Sequence, residues 1–253
     1  MTEKKPTLYT VLSPALLHLY PVENAVVVII DVLRATSTIA TALYNGAECV
    51  IPVDNIEQCI SLGKEHCGIT AGERDGKVAE GLVYGNSPFE YPRSFVENKV
   101  LVLTTTNGTR LLHMALNNGA SHIVTGSFPN LSAVCSYLER QEQNVLLACA
   151  AWKDRVNVED TLFAGAVINR IRHQFAIQCD SSAIAENLYR AASPELFEFM
   201  KKNNASHYHR LTRYGLEKDM RYCLTEDLAN ILPIYRNGRL VPYDPIFDFN
   251  TIS

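Results

Sequence analysis

Residues 26–38 read VVVIIDVLRATST. The apolar run Val26 to Ile30 is too short for a membrane span and too uniformly β-branched for a strand with one wet face, so it predicts an interior strand of a parallel sheet. Asp31 then stands at the carboxyl end of that strand, where open α/β sheets place their ligands. Ser37 and Thr38 precede the apolar positions Ile39, Ala42 and Leu43, and Asn45-Gly46 stops the segment, so a helix is expected to begin between Arg34 and Thr38. Helix-end amides beside the hydroxyls of Thr36 and Ser37 and the guanidinium of Arg34 suit an oxyanion. A carboxylate in the same place suits a divalent cation or a proton transfer. The plainer alternative is a capped helix with Asp31 as a turn residue. The fixed charge of Arg34 at a buried strand end weighs against it.

The same plan recurs 73 residues on. That shift lays Val27 on Val100, Thr36 on Thr109, and Ala42, Leu43, Asn45, Gly46 and Ala47 on Ala115, Leu116, Asn118, Gly119 and Ala120. In the second copy the strand runs into Thr104, Thr105 and Thr106 and then Asn107-Gly108-Thr109, so hydroxyls and an amide replace the acid and the arginine. It reads as a neutral loop that cradles an anion. The competing view is that two βαβ units of ordinary composition match by chance.

The remainder continues to alternate. Residues 48–53, 121–125 and 145–149 read as strands; residues 55–65, 131–141, 160–172, 182–190, 194–202 and 207–214 read as helices. The fold class expected is a layered αβα arrangement on a mostly parallel sheet, with two similar βαβ halves. Residues 1–253 are expected to form a single compact unit, its two halves allowing subdomains with a cleft between them. With 47% hydrophobic residues the chain can bury a large core. A formal charge of -4 argues against nucleic-acid and membrane-surface partners. No apolar stretch approaches membrane-helix length and the amino terminus lacks a signal-peptide core, so the cytoplasm is the expected location. The seven cysteines include no C-x-x-C pair, which indicates neither a disulfide framework nor a thiolate zinc site.

One segment breaks the regularity: residues 71–95, rich in Gly and Pro between two strands. Long irregular segments in compact domains are usually functional. Within it Glu73 can ligate a cation, Arg74 can fork onto an oxyanion, and Gly85-Asn86-Ser87-Pro88 is either a binding loop or an ordinary turn. A third cluster has Cys149 at a strand end and Glu159-Asp160 opening a helix. Acids in a first helical turn are routine because they complement the dipole, so Glu159 reads as structural and Asp160 as cap or metal ligand. Arg155 completes a C-x5-R spacing with Cys149, but the intervening AAWKD lacks the glycines of a phosphate loop. His207 and His209 are two apart and share no helix face, so capping or surface roles are expected. His113 reads as a neutral helix residue. Trp152 fits a pocket edge or the core.

Taken in order, VVIIDVLRATSTI, AGERDGKVAEGLVYGNSP, LTTTNGTRLL, TGSFPN, LLACA, VEDTLFAG and DMRYCLTEDLANILPIY resemble the motifs of the 2-phosphosulfolactate phosphatases over residues 8–241. The resemblance implies an αβα enzyme that uses Mg2+ to hydrolyse 2-phospho-3-sulfolactate to 3-sulfolactate, a step of coenzyme M biosynthesis. Ala150, Ala151 and Trp152 depart from a glycine expected soon after the strand-end cysteine. Position by position, the family motifs fall on Asp31, Arg34, Thr36, Ser37, Glu73, Arg74, Asn86, Ser87, Thr105, Thr106, Asn107, Gly108, Thr109, Cys149, Glu159 and Asp160.

From these the expected catalytic set is Asp31, Arg34, Glu73 and Cys149, and the expected metal ligands are Asp31, Glu73 and Asp160. Substrate is expected to meet Thr36, Ser37, Arg74, Asn86, Ser87, Thr106, Asn107, Gly108 and Thr109. The expected partner is a small anionic phosphoester, with a homo-oligomer left open. Hydrolysis of another 2-phospho-hydroxy acid, or a non-catalytic anion-binding protein on the same fold, are the alternatives. A haloacid-dehalogenase mechanism is disfavoured because Leu33 stands where its second acid would be, which leaves the leaving-group proton without an assigned source.

Overall fold

A computed structural model describes residues 5–74 and 76–245. Its ten strands form one sheet, and their order shows how the repeat is used. The first copy runs β2 (Ala25–Ile30), α1 (Ala35–Tyr44), β3 (Cys49–Val53), α2 (Ile56–Glu65) and β4 (Ile69–Arg74). The second runs β6 (Val100–Thr104), α4 (Gly108–Asn117), β7 (His122–Gly126), α5 (Leu131–Leu138) and β8 (Asn144–Cys149). Neither copy keeps its strands together. β2 pairs in parallel with β7 and β8, and β6 pairs in parallel with β3 and β4. Val27 opposes Ile123 where Val100 opposes Cys49, so the match holds through the return strands with one residue of slip. Strand β1 (Leu8–Val11) extends the first block beside β8, and β5 (Lys77–Val78) closes the edge at β4.

The two parallel blocks are joined by a hairpin, β9 (Pro233–Arg236) and β10 (Arg239–Pro242), giving the order β1-β8-β2-β7-β9-β10-β3-β6-β4-β5. All three pairings at this join are antiparallel, so the blocks run in opposite senses. Asn237 and Gly238, both at positive φ, make the two-residue turn that matches strand twist.

Alternation along the strands sorts the core. Val26, Val28 and Ile30 face outward with α5, α6 (Val158–Ile171) and α7 (Asp180–Ala192). Val27 and Ile29 share a second cluster with Leu101 and Leu103 of β6, Ile39 and Leu43 of α1, and Leu111 and Leu112 of α4. Helices α1 and α4 therefore fill the space between the blocks. Cys49, Ile51, Val100 and Val102 face the other way, onto α2. Helix α6 meets α7 closely: a Cβ at Gly165 would lie 2.0 Å from the carbonyl oxygen of Ala185. The expected layered α/β class with a mostly parallel sheet is what the structure shows, with helices between the blocks as well as on the outer faces.

Several elements differ from expectation. Residues 71–74, expected to be irregular, belong to β4. The expected helices at 194–202 and 207–214 are α8 (Leu196–Lys202) and α9 (Ser206–Thr212), and a further helix, α10 (Glu217–Cys223), lies beyond them. Among the described residues no helix is long and apolar enough to cross a membrane.

Candidate active site

Residues 31–37 form a tight strand-to-helix connection. The amide of Asp31 donates to Thr36 Oγ1 at 3.2 Å and the amide of Thr36 to the carbonyl of Asp31 at 2.9 Å. Ser37 Oγ donates to the carbonyl of Val32 at 2.8 Å. This bracing aims Asp31 at the start of α4, where the amide of Gly108 donates to its carboxylate. The two helix N-termini thus meet at one carboxylate.

They meet in a cleft lined by Asp31, Leu33 and Arg34 from the first copy and Thr106 and Asn107 from the second. Leu33 and Arg34 are the positions that Thr106 and Asn107 match under the 73-residue shift, so the cleft lies between repeat equivalents. Glu73, Gly76, Asn86, Trp152, His207, Arg210 and Leu211 complete the lining. The buried Arg34 guanidinium is ion-paired through Nη1 with Asp219 of α10, itself buried.

Burial pushes the Asp31 carboxyl up to about 7, opposed by His207 and reinforced by Glu73 and Glu159. The desolvation is large because the carboxylate sits at a buried strand end, and neighbouring acids add repulsion. Among the described residues five buried side-chain oxygens have no hydrogen-bond partner, and three of them are at or beside the cleft: Asn86 Oδ1, Thr106 Oγ1 and Glu159 Oε2. Asn86 and Thr106 line the cleft, while Glu159 supports its wall through an ion pair with His207 Nδ1. Unpaired buried polar atoms are rare in folded proteins and mark places where a ligand or water belongs.

Of the expected residues, Asp31, Arg34, Glu73, Asn86, Thr106 and Asn107 line this cleft, with Gly108 directly beneath Asp31. Others are placed elsewhere. Cys149 opposes Ile30 and shares its outward-facing cluster, so its thiol lies in the core beneath α6. Burial, then Asp160 and Glu159, raise its pKa well above the ordinary thiol value. The structure thus places the Cys149 thiol away from the cleft, in surroundings that disfavour the reactive thiolate. Asp160 is fully buried, and its oxygens accept from the amides of Val32 at 2.9 Å and Ala151 at 3.2 Å and from Asn157 Nδ2 at 2.9 Å. It ties two strand-end turns together, and it is not among the residues that line the cleft.

The expected substrate hydroxyls of Thr36 and Ser37 are engaged in the turn just described. Thr109 Oγ1 donates to the carbonyl of Thr105 at 2.8 Å. Arg74 turns away, bonding the carbonyl of Glu73 at 2.7 Å and Thr104 Oγ1 at 2.9 Å. Ser87 caps a short turn as half of a capping box with Glu90, in a shallower groove that also touches Arg34 and Asn86. The start of α4 at Gly108 lies against the Asp31 carboxylate.

Several residues of the site were not anticipated, Arg210 among them. His207 is buried and lines the cleft, against the expected surface or capping role. Glu159, expected to be structural, is its partner, and Asp219 is the partner of Arg34. The sequence offered one hint: Asp219 opens the carboxy-terminal motif DMRYCLTEDLANILPIY. Other residues of that motif are also tied to the rest of the fold, Tyr222 Oη to Thr41 Oγ1 at 3.0 Å and Asp227 to the Ser132 amide and hydroxyl at 2.7 and 2.6 Å.

A cleft that pairs buried acids with a braced arginine at the junction of two helix N-termini suits an enzyme handling a small phosphorylated anion. Comparison with known proteins supplies the particular family. A family model described as 2-phosphosulpholactate phosphatase matches residues 11–238. A probable 2-phosphosulfolactate phosphatase of Thermotoga petrophila is 42% identical over 86% of this chain and 92% of its own length. Proteins of the same description from Thermotoga maritima and Clostridium perfringens are 41% and 35% identical, over 92% and 89% of their own lengths and 86% of this chain in each case. The chain belongs to the 2-phosphosulfolactate phosphatase family, and it is a phosphoric monoester hydrolase.

Proposed function

We propose that this protein hydrolyses 2-phospho-3-sulfolactate to 3-sulfolactate and inorganic phosphate with Mg2+ in the cleft. The observation that carries the reading is the position of Asp31, a desolvated carboxylate where α1 and α4 meet, in one cleft with Arg34 and Glu73.

The donor chemistry fits a hard cation. Asp31 and Glu73 supply carboxylates to the cleft, and the unpartnered Asn86 Oδ1 and Thr106 Oγ1 supply neutral oxygens. Among the described residues no group of three acidic, histidine or cysteine side chains is placed to form an all-protein cage. Two carboxylates and two neutral oxygens suit a cation that keeps several waters, as Mg2+ does. Asp31 and Glu73 would hold it. When bound, Mg2+ neutralises phosphoryl charge and stabilises the leaving oxygen.

The chain's own groups account for the rest. Arg34, fixed from behind by Asp219, presents a planar donor to the phosphoryl oxygens without reorganising. Asn107, at the start of α4, adds an uncharged donor from the opposite repeat. His207, oriented by Glu159 through Nδ1, directs its other ring nitrogen as the group that hands a proton to the departing alkoxide. That supplies the leaving-group proton for which the residues near Asp31 offer no second acid.

The test is phosphate release from 2-phospho-3-sulfolactate, with Mg2+ and after exhaustive chelation. Turnover that needs the metal is expected. Release at the same rate in EDTA removes Mg2+ from the reading, and no release under any metal removes the substrate.

A further inference from the structure

We propose that Arg210, placed over the ring of Trp152, reads the second strong acid of the substrate, a sulfonate on the carbon next to the one that bears the phosphate. This rests on the phosphatase reading above and assigns a part of the cleft that the phosphoryl chemistry does not use.

The placement of two arginines carries the argument. Arg34 is buried at the inner end beside Asp31 and paired with Asp219. Arg210 is half-buried at the mouth, and its guanidinium carbon lies 4.0 Å from the centre of the Trp152 ring. His207 and Arg210 are three residues apart on α9, so they share a helix face with Cβ atoms roughly 5–6 Å apart. A substrate whose leaving oxygen is served by His207 would therefore bring a group on the adjacent carbon to Arg210. A guanidinium carries five N–H donors, so a contact with a ring is compatible with recognition of an anion.

Trp152 is a fixed platform. Its amide donates to the carbonyl of Arg155 at 2.9 Å, and the amide of Arg155 returns a bond of 3.0 Å. Both carboxylate oxygens of Asp154 accept from Arg110, in the first turn of α4, at 2.9 and 3.2 Å, while its carbonyl accepts from Ser13 Oγ at 2.8 Å. A loop clamped on two sides holds the ring, and through it the guanidinium, in place before substrate arrives, which lowers the ordering cost of binding. Trp152 is here a positioning residue and Arg210 the group that touches substrate.

The experiment compares 2-phospho-3-sulfolactate with 2-phospholactate, which differs only in lacking the sulfonate, as substrates of the wild type, Arg210→Gln, Trp152→Phe and Trp152→Leu, each checked for native circular dichroism. Arg210→Gln is expected to raise KM for the sulfonated ester by about 10- to 100-fold, the range for losing a charge-assisted hydrogen bond. Its loss of kcat/KM on that ester should exceed its loss on 2-phospholactate by about tenfold or more. Trp152→Leu should reproduce part of that selective loss and Trp152→Phe should retain the preference. Equal losses on both esters, or none, overturn the assignment. If the wild type hydrolyses neither ester, the phosphatase reading has failed, and calorimetric titration with 3-sulfolactate and lactate decides: a preference for 3-sulfolactate that Arg210→Gln abolishes upholds the assignment, and equal binding by wild type and variant overturns it.

Discussion

Ala35 and Gly108 hold the same place in two copies of one supersecondary unit, and a Cβ on Gly108 would lie 3.3 Å from that of Ala35 and 2.9 Å from Asp31 Oδ2. The closeness of these two positions brings the helix N-termini together and lets the Gly108 amide reach the carboxylate. Gly108→Ala is therefore expected to push Asp31 out of place. Overpacking of this kind costs about 1–3 kcal/mol, so the variant should remain folded in chemical denaturation while losing most of its phosphatase activity. A variant with full activity would mean that the contact does not position Asp31.

The raised pKa of Asp31 makes the metal-free protein sensitive to pH. The folded state holds this proton up to about 7, whereas the unfolded chain releases it near the ordinary carboxyl value of 3.8. Between those values the native state binds more protons than the unfolded state, so stability falls as pH rises, with the full loss present above about 7. The melting temperature without metal should be lower at about pH 8 than at about pH 5.5. Asp31→Asn should flatten that slope and raise the melting temperature at the higher pH. Added Mg2+ should stabilise the wild type more at the higher pH, and a thermal-shift series reads all three.

Arg34 and Asp219 should behave unequally. Arg34→Lys keeps the charge and loses the planar fork, so kcat is expected to fall about tenfold or more with little change in fold. Asp219→Ala leaves a buried guanidinium unpaired, and breaking one side of such a pair typically costs about 3–5 kcal/mol. Urea denaturation alongside steady-state kinetics separates the two. Similar, small effects would show that the pair is peripheral to both stability and turnover.

If His207 delivers the leaving-group proton, its importance depends on the ester. His207→Gln should slow hydrolysis of an alkyl phosphoester by about 100-fold or more, and that of p-nitrophenyl phosphate, whose leaving group needs no proton, far less. Glu159→Gln, which keeps the bond to Nδ1 but removes the charge, should fall between wild type and His207→Gln. A uniform loss on both esters would reduce His207 to a wall residue.

What local pattern could reach was largely readable. The uniform run Val26 to Ile30 marked a buried strand, Asp31 marked the end of it that opens on the cleft, and the self-match at 73 residues located the second helix N-terminus that meets it. Side-chain parity was the information missing for Cys149. It lies at a strand end as expected, but its register opposite Ile30 turns it outward, and register is a property of the pairing rather than of the strand. His207 and Asp219 reach the site from α9 and α10, 48 residues from Glu159 and 185 from Arg34. No periodicity within a window connects such partners. The β9–β10 hairpin was missed for a different reason. Asn237-Gly238 is a strong turn signal, but only the tertiary structure says that the hairpin enters the middle of the sheet rather than its edge.

The exchange of strands between the copies has a consequence for how the molecule can be divided. A chain ending after β4 would hold β2 without β7 or β8, and β3 and β4 without β6, so it would present open strand edges and could satisfy them only with a second molecule. Two such half-chains, each lending strands to the other, would rebuild both blocks. In that sense the protein is a domain-swapped dimer whose subunits have been spliced end to end. The candidate cleft occupies what would be the subunit boundary, lined by residues of both copies, so neither half owns all of it.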